Sequence, residues 1–183
     1  RKEGNQSFKT GMEKSESVNK RKNNFQNWVK IMEFEKKKEV KILVIDDLEV
    51  NVIILEEIIQ NMGYEALTAT SVKEALELMQ NEKALPQVIL TDISMPDIDG
   101  YEFCAILKRD PYTKDIPLIF ISAMDSSADK NKGFELGAVD YIAKPFERAE
   151  VEKRINTHLK LYTLQRDLEE NNKMIKIEII VIH

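Results

Sequence analysis

From Val40 onward two textures of apolar and polar positions alternate along the chain. Short runs at Lys41–Ile45, Tyr64–Ala69, Val88–Thr91, Pro117–Ile121 and Val139–Ile142 are dense in β-branched and other apolar residues and predict strands. Between them apolar residues recur at helical spacing over Glu49–Asn61, Ser71–Gln80, Asp99–Lys108 and Asp129–Leu136, and again from Glu147 onward. The boundaries carry matching punctuation. Gly63 stands where the first helix should stop, and Ser71-Val-Lys-Glu74 reads as a capping box opening the second. The runs at Lys41, Val88 and Pro117 are apolar almost throughout, as strands covered on both faces require. Strand–helix alternation of this kind predicts a doubly wound, five-stranded parallel sheet. Right-handed crossovers leave few topologies, and 2-1-3-4-5 is the common order at this size.

The last helical pattern runs past the point where a compact domain would end. Leu161, Leu164, Leu168, Asn171 and Ile175 fall at alternating spacings of three and four over about two heptads, which reads either as the seam of a helix that pairs with another or as a solvated helical overhang. The final stretch, Ile175–Ile182, alternates and then runs together as apolar residues, like the opening of a strand in a further segment. Residues 1–39 differ again, rich in Lys, Asn, Ser, Glu and Gln, and read as a disordered or loosely helical leader. Within it Phe25, Trp28, Val29, Met32 and Phe34 share one helical stripe. The resulting division is a leader over 1–39, a domain over 40–159, a helical linker over 160–174 and the start of a further segment over 175–183.

Composition narrows the function classes. The leader holds 11 Lys and Arg against 6 Glu, a net of +5; with −5 for the whole chain, the remaining body carries −10. An acidic body argues against direct nucleic-acid binding by that part. No run approaches the roughly 18 apolar residues of a membrane span, and no signal-peptide pattern opens the chain. The single cysteine, Cys104, reads as a small core or helix residue and suits the reducing cytoplasm.

Polar residues at the strand ends carry the chemistry. Asp46 and Asp47 follow the first strand, Asp92 the third, Ser122 the fourth and Lys144 the fifth. In an open parallel sheet those ends share one edge, where such folds place their sites. Three carboxylates crowded together need a cation or protons. With oxygen ligands alone, and neither His158 nor His183 near these segments, Mg²⁺ (or Mn²⁺) is the fitting ion. Such an ion would orient a phosphoryl donor against a carboxylate, with Lys144 as a fixed positive charge and Ser122 as a hydrogen-bond donor. Asp92, alone at the end of the central strand, is the expected acceptor. The loop after it, held by Pro96 and Gly100, would turn the backbone carbonyl of Ser94 toward the metal. Of the adjacent pair, Asp47 is assigned direct coordination and Asp46 coordination through water. Asp97 and Asp99 read as turn and cap residues.

Together, Asp46-Asp47, Thr91-Asp-Ile-Ser-Met-Pro-Asp-Ile-Asp-Gly100, Ile121-Ser-Ala123 and Ala143-Lys-Pro-Phe146 resemble the receiver domain of two-component response regulators over about Val40–Leu159. The resemblance implies a flavodoxin-like sheet and transfer of a phosphoryl group from a kinase phosphohistidine to Asp92 with Mg²⁺. It also implies Tyr141 as an aromatic switch residue beside Ser122 and a cis Lys144-Pro145 bond. Expected partners are a sensor histidine kinase or phosphotransfer protein, and a second copy through the face of the fourth helix, fifth strand and fifth helix or through the linker. Residues 156–170 are similar to linkers leading to cyclic-dinucleotide enzymes or kinase modules, although no output motif appears here. Ser94 and Met124 would tune the lifetime of the phosphorylated state.

Two other classes compete. A Mg²⁺-dependent phosphatase with an aspartyl-phosphate intermediate needs an acid two residues after the nucleophile, and Ser94 stands there. A module signalling without phosphate would have no use for the complete polar set. The expectation is a protein that catalyses only its own phosphorylation and dephosphorylation.

Overall fold

In the computed structural model, residues 40–81, 85–123 and 127–182 are described. The strands are β1 (Lys41–Ile45), β2 (Glu65–Ala69), β3 (Val88–Thr91), β4 (Leu118–Ser122) and β5 (Asp140–Ala143). The helices are α1 (Glu49–Asn61), α2 (Val72–Asn81), α3 (Gly100–Arg109), α4 (Ser127–Glu135) and α5 (Arg148–Ile182). All strand pairs are parallel, in the order β2-β1-β3-β4-β5, as the alternation predicts.

Successive strand residues point to opposite faces, and the core divides accordingly. Leu43, Ile45, Ile89 and Phe120 bury against Val72, Ala75, Phe103 and Leu107 of α2 and α3. Ile42, Val44, Leu90 and Ile119 bury against Leu55 and Ile59 of α1 and Val151 and Ile155 of α5. Each of the Val, Leu, Ile and Phe side chains among them contributes about 1.5–3 kcal/mol of burial. With helices on both faces, β3 and β4 are buried at every residue. Cys104 lies in the first of these cores, a small buried side chain.

Local signals hold with adjustments. Gly63 has φ of 86° and follows α1 as its stop. At α2, Ser71 Oγ accepts the Glu74 N–H at 3.2 Å, but the Glu74 carboxylate reaches back one residue further than in a capping box, to the Thr70 N–H at 2.7 Å. Strands β4 and β5 each sit one residue later than expected, because pairing sets their ends: Ser122 pairs with Ala143 and belongs to the strand. Pro117, without an N–H, stays at the entrance, where its carbonyl accepts from Ile89 at 2.9 Å.

One expectation fails. Residues 175–182 do not open a strand; α5 continues to Ile182. The alternation there favours a strand only where a sheet edge can take its backbone groups. A helix already nucleated adds a hydrogen bond for each residue fixed, and no Gly or Pro interrupts this one. The leader, its aromatic stripe, Met124 and His183 lie outside the described residues.

Candidate functional site

The strand ends do converge. Asp92 continues β3 beside β1, its N–H donating to the Ile45 carbonyl at 2.8 Å, and Asp46 leaves β1 beside β2 with its N–H 3.3 Å from the Ala69 carbonyl. This register places the two carboxylates side by side. Asp46 is 1 % exposed and Asp92 6 %, while Asp47 is open to solvent. Each offers an oxygen within 4.8 Å of the other two.

Lys144 closes the cluster from the β5 side. Its Nζ lies 2.7 Å from Asp46 Oδ2 and 2.7 Å from Asp92 Oδ2. Its backbone N–H donates to the Ser122 carbonyl at 3.0 Å, and its bond to Pro145 is cis, as the resemblance implies. Burial by itself would push the ammonium pKa down, but the hydrogen bonds and charges of Asp46 and Asp92 outweigh it and hold the pKa above the ordinary lysine value of 10.5.

Each carboxylate is further held by its own loop. Asp46 Oδ1 accepts the Leu48 N–H at 3.0 Å, and the Asn51 side-chain amide reaches Oδ1 at 3.0 Å and Oδ2 at 3.1 Å. These donors sit at the start of α1, whose positive dipole end lowers the cost of the buried charge. Asp92 Oδ1 accepts the Ile93 N–H at 2.7 Å and, more weakly, the Ser94 N–H at 3.4 Å. Gly100 packs so tightly behind this loop that an added Cβ would stand 2.2 Å from the Asp92 carbonyl oxygen. Asp97 turns the loop with φ of 67°, and Asp99 caps α3 by accepting the Glu102 N–H at 2.8 Å, so both have the turn and cap roles expected of them.

The hydroxyl-bearing Ser122 is 1 % exposed at the end of β4. Tyr141 is 8 % exposed, with its hydroxyl donating to the Ser122 carbonyl at 3.2 Å. Around it α4 is tethered by the Tyr101 hydroxyl, which donates to the Asp129 carbonyl at 3.1 Å, and by Lys132, whose Nζ lies 4.0 Å from the Tyr101 ring centre. Arg154 and His158 fasten α5 to β5 through Asp140 Oδ2 at 3.0 and 2.8 Å. His158 is thus engaged away from the acidic cluster.

Asn51 was not singled out by sequence reasoning. The signal was available: a short amide donor in the first turn of the helix that follows a carboxylate pair.

Comparison with known proteins gives a consistent result. The family profile described as "Response regulator receiver domain" matches residues 42–156. "Probable transcriptional regulator ycf27" of Cyanophora paradoxa is 42 % identical over 130 residues, covering 70 % of this chain and 51 % of that protein. "Response regulator PleD" of Caulobacter vibrioides is 41 % identical over 107 residues, covering 58 % of this chain and 23 % of the relative. The chain therefore spans about half or less of the length of these relatives. Among solved structures, the receiver domain of Francisella response regulator 1452 superposes with a TM-score of 0.60 at 32 % identity, over 66 % of this chain and 97 % of that one. An acidic cluster bridged by a lysine on a 2-1-3-4-5 sheet, together with these matches, makes the chain a member of the response regulator receiver family of two-component signal transduction.

Proposed function

We propose that this protein accepts a phosphoryl group on Asp92 from the phosphohistidine of a sensor histidine kinase or phosphotransfer protein, and that the modified domain controls an output. The observation that carries the reading is Lys144 bridging Asp46 and Asp92 at 2.7 Å each within a cluster of three carboxylates. The all-oxygen donor set of Asp46, Asp47 and Asp92 fits Mg²⁺ or Mn²⁺. Asp47, Asp92 and the Ser94 carbonyl would hold the ion directly and Asp46 through water. Bound there, the ion supplies charge screening and orientation for the phosphoryl oxygens.

The chain's own residues do the rest. An Asp92 carboxylate oxygen forms the new P–O bond as the P–N bond to the donor imidazole breaks, and the imidazole leaves with that electron pair. Lys144 balances the charge gathering on the phosphoryl oxygens, and the Ser122 hydroxyl donates to one of them. The new group adds about −1.5 to −2 charge. Drawing Ser122 toward it alters the carbonyl that Tyr141 holds, and with it the face of α4, β5 and α5. Because the buried position of Tyr141 is already occupied, phosphorylation acts by favouring one population over another.

The output is a partner or a further domain reached through α5. Leu161, Leu164, Leu168 and Ile175 are exposed on the part of α5 beyond the core, and a second copy pairing along this seam, or on the α4–β5–α5 face, would carry the signal. Among the described residues no helix is long and apolar enough to cross a membrane, and the site we assign works in the cytoplasm, where kinases supply phosphohistidine. With Ser94 two residues after Asp92, no acid stands ready to protonate a leaving group, so catalysis is limited to the protein's own phosphorylation and dephosphorylation.

Intact mass after incubation with acetyl phosphate and Mg²⁺ tests the proposal. The parent should gain one phosphoryl group and Asp92→Asn none. An equal gain in both removes Asp92 as acceptor, and rapid Asp92-dependent hydrolysis of a generic phosphomonoester favours a phosphatase.

A further inference from the structure

A carboxylate has about four lone-pair sites, two on each oxygen. In Asp46 all four are taken. Oδ1 accepts from the Leu48 N–H and from Asn51 Nδ2, both at 3.0 Å; Oδ2 accepts from Lys144 Nζ at 2.7 Å and from Asn51 Nδ2 at 3.1 Å. Asp92 is less engaged: Oδ1 takes the Ile93 and Ser94 N–H groups, and Oδ2 takes Lys144. Asp47 stands exposed at the rim. Leu48 and Lys144 by themselves would leave one site open on each oxygen of Asp46. Asn51, reaching across from the first turn of α1, fills both.

We propose that Asn51 sets the cation preference of this pocket by withholding Asp46 from direct coordination. The inference rests on the proposed function and identifies a specificity-determining residue within it. An entering ion then meets two carboxylates with oxygens to give. Mg²⁺ is suited by that arrangement, since it gives up water reluctantly and is commonly held by one or two carboxylates. Ca²⁺ is not, since it gathers about six to eight oxygen ligands and gains most from a third carboxylate. Asn51 is a positioning residue: it acts on the ion only through Asp46.

The test uses the full chain with Asn51→Ala and Asn51→Ser, neither of which can place an amide across both oxygens. Calorimetric titration gives Kd for Mg²⁺ and for Ca²⁺ in each protein, with circular dichroism to check the fold. The expected result is a fall of about tenfold in the preference for Mg²⁺ over Ca²⁺ in both variants, the size of a hydrogen bond to a charged group, arising mainly from tighter Ca²⁺ binding. A residue that only braces α1 would weaken both ions in proportion. A ratio unchanged within about twofold overturns the inference, as does loss of fold in both variants. If one variant alone fails to fold, the other decides. An unchanged ratio alongside normal phosphoryl gain on Asp92 in the parent defeats this inference alone. A parent that binds neither ion and gains no phosphoryl group defeats the proposed function with it.

Discussion

Replacing Lys144 with alanine tests the electrostatics of the site directly. The ammonium is the charge partner of both Asp46 and Asp92, and the side chains are 17 %, 1 % and 8 % exposed. Removing one member of a buried pair costs about 3–5 kcal/mol, because the remaining charge is left uncompensated. Here Asp46 keeps its bonds from Leu48 and Asn51, and Asp92 keeps those from Ile93 and Ser94, so the loss should fall near 3 kcal/mol. For a domain of this size that is a fall in Tm of roughly 10 °C. A divalent ion replaces part of the missing charge and should bind the variant more tightly than the parent, whose ammonium repels it; by mass action that difference in affinity should shrink the gap to about 1 kcal/mol under saturating Mg²⁺. The pH dependence has a definite sign. The folded-state pKa of Lys144 lies above 10.5, so its contribution is fully present below the ordinary value and is lost only as pH rises through the higher folded value. The gap between parent and variant should therefore stay flat from about pH 7 to 9. Urea unfolding followed by circular dichroism, in chelator and then in Mg²⁺, measures all of this. A gap below about 1 kcal/mol in chelator, or one that Mg²⁺ leaves untouched, would show that Lys144 is not the charge partner of Asp46 and Asp92.

Two further outcomes follow from other parts of the structure. Gly100→Ala places a Cβ 2.2 Å from the Asp92 carbonyl oxygen, so the loop must shift; destabilisation of about 2–3 kcal/mol by urea unfolding is expected, with slower phosphoryl gain on Asp92, and wild-type values for both would show that the contact relaxes freely. Leu164→Lys with Leu168→Lys places charge on the exposed seam of α5; sedimentation equilibrium should show self-association of the parent abolished in the double variant, and a parent that sediments as a single chain removes the second copy as the seam's partner.

The order of residues is enough to specify the sheet and the edge on which its polar residues fall. A strand buried on both faces has to be apolar at nearly every position, and β1, β3 and β4 announce themselves that way; the carboxylates, hydroxyl and lysine at their ends then fall on one edge because all strands run in the same direction. The strand ends themselves were less legible, since β4 and β5 stop where neighbouring backbone groups stop pairing. The same limit applies to residues 175–182: local alternation resembles a strand, but only a partner edge can make one, and the helix that began at Arg148 continues instead. How deeply each acid is engaged depends on contacts between distant segments, and these supply the physical cause of the roles expected of Asp46 and Asp47. Asp46 and Asp47 are identical neighbours in the chain, yet one is sealed beneath four donor contacts and the other faces solvent, because the Leu48 amide, the Asn51 side chain and Lys144 reach a single carboxylate from two separate elements. Gly100 shows the same thing: its sequence context marks a turn, while the need for a residue without a side chain comes from a backbone eight positions earlier pressed against it. Patterns along the chain record which face a residue occupies; contacts between distant segments depend on distances that no local pattern encodes.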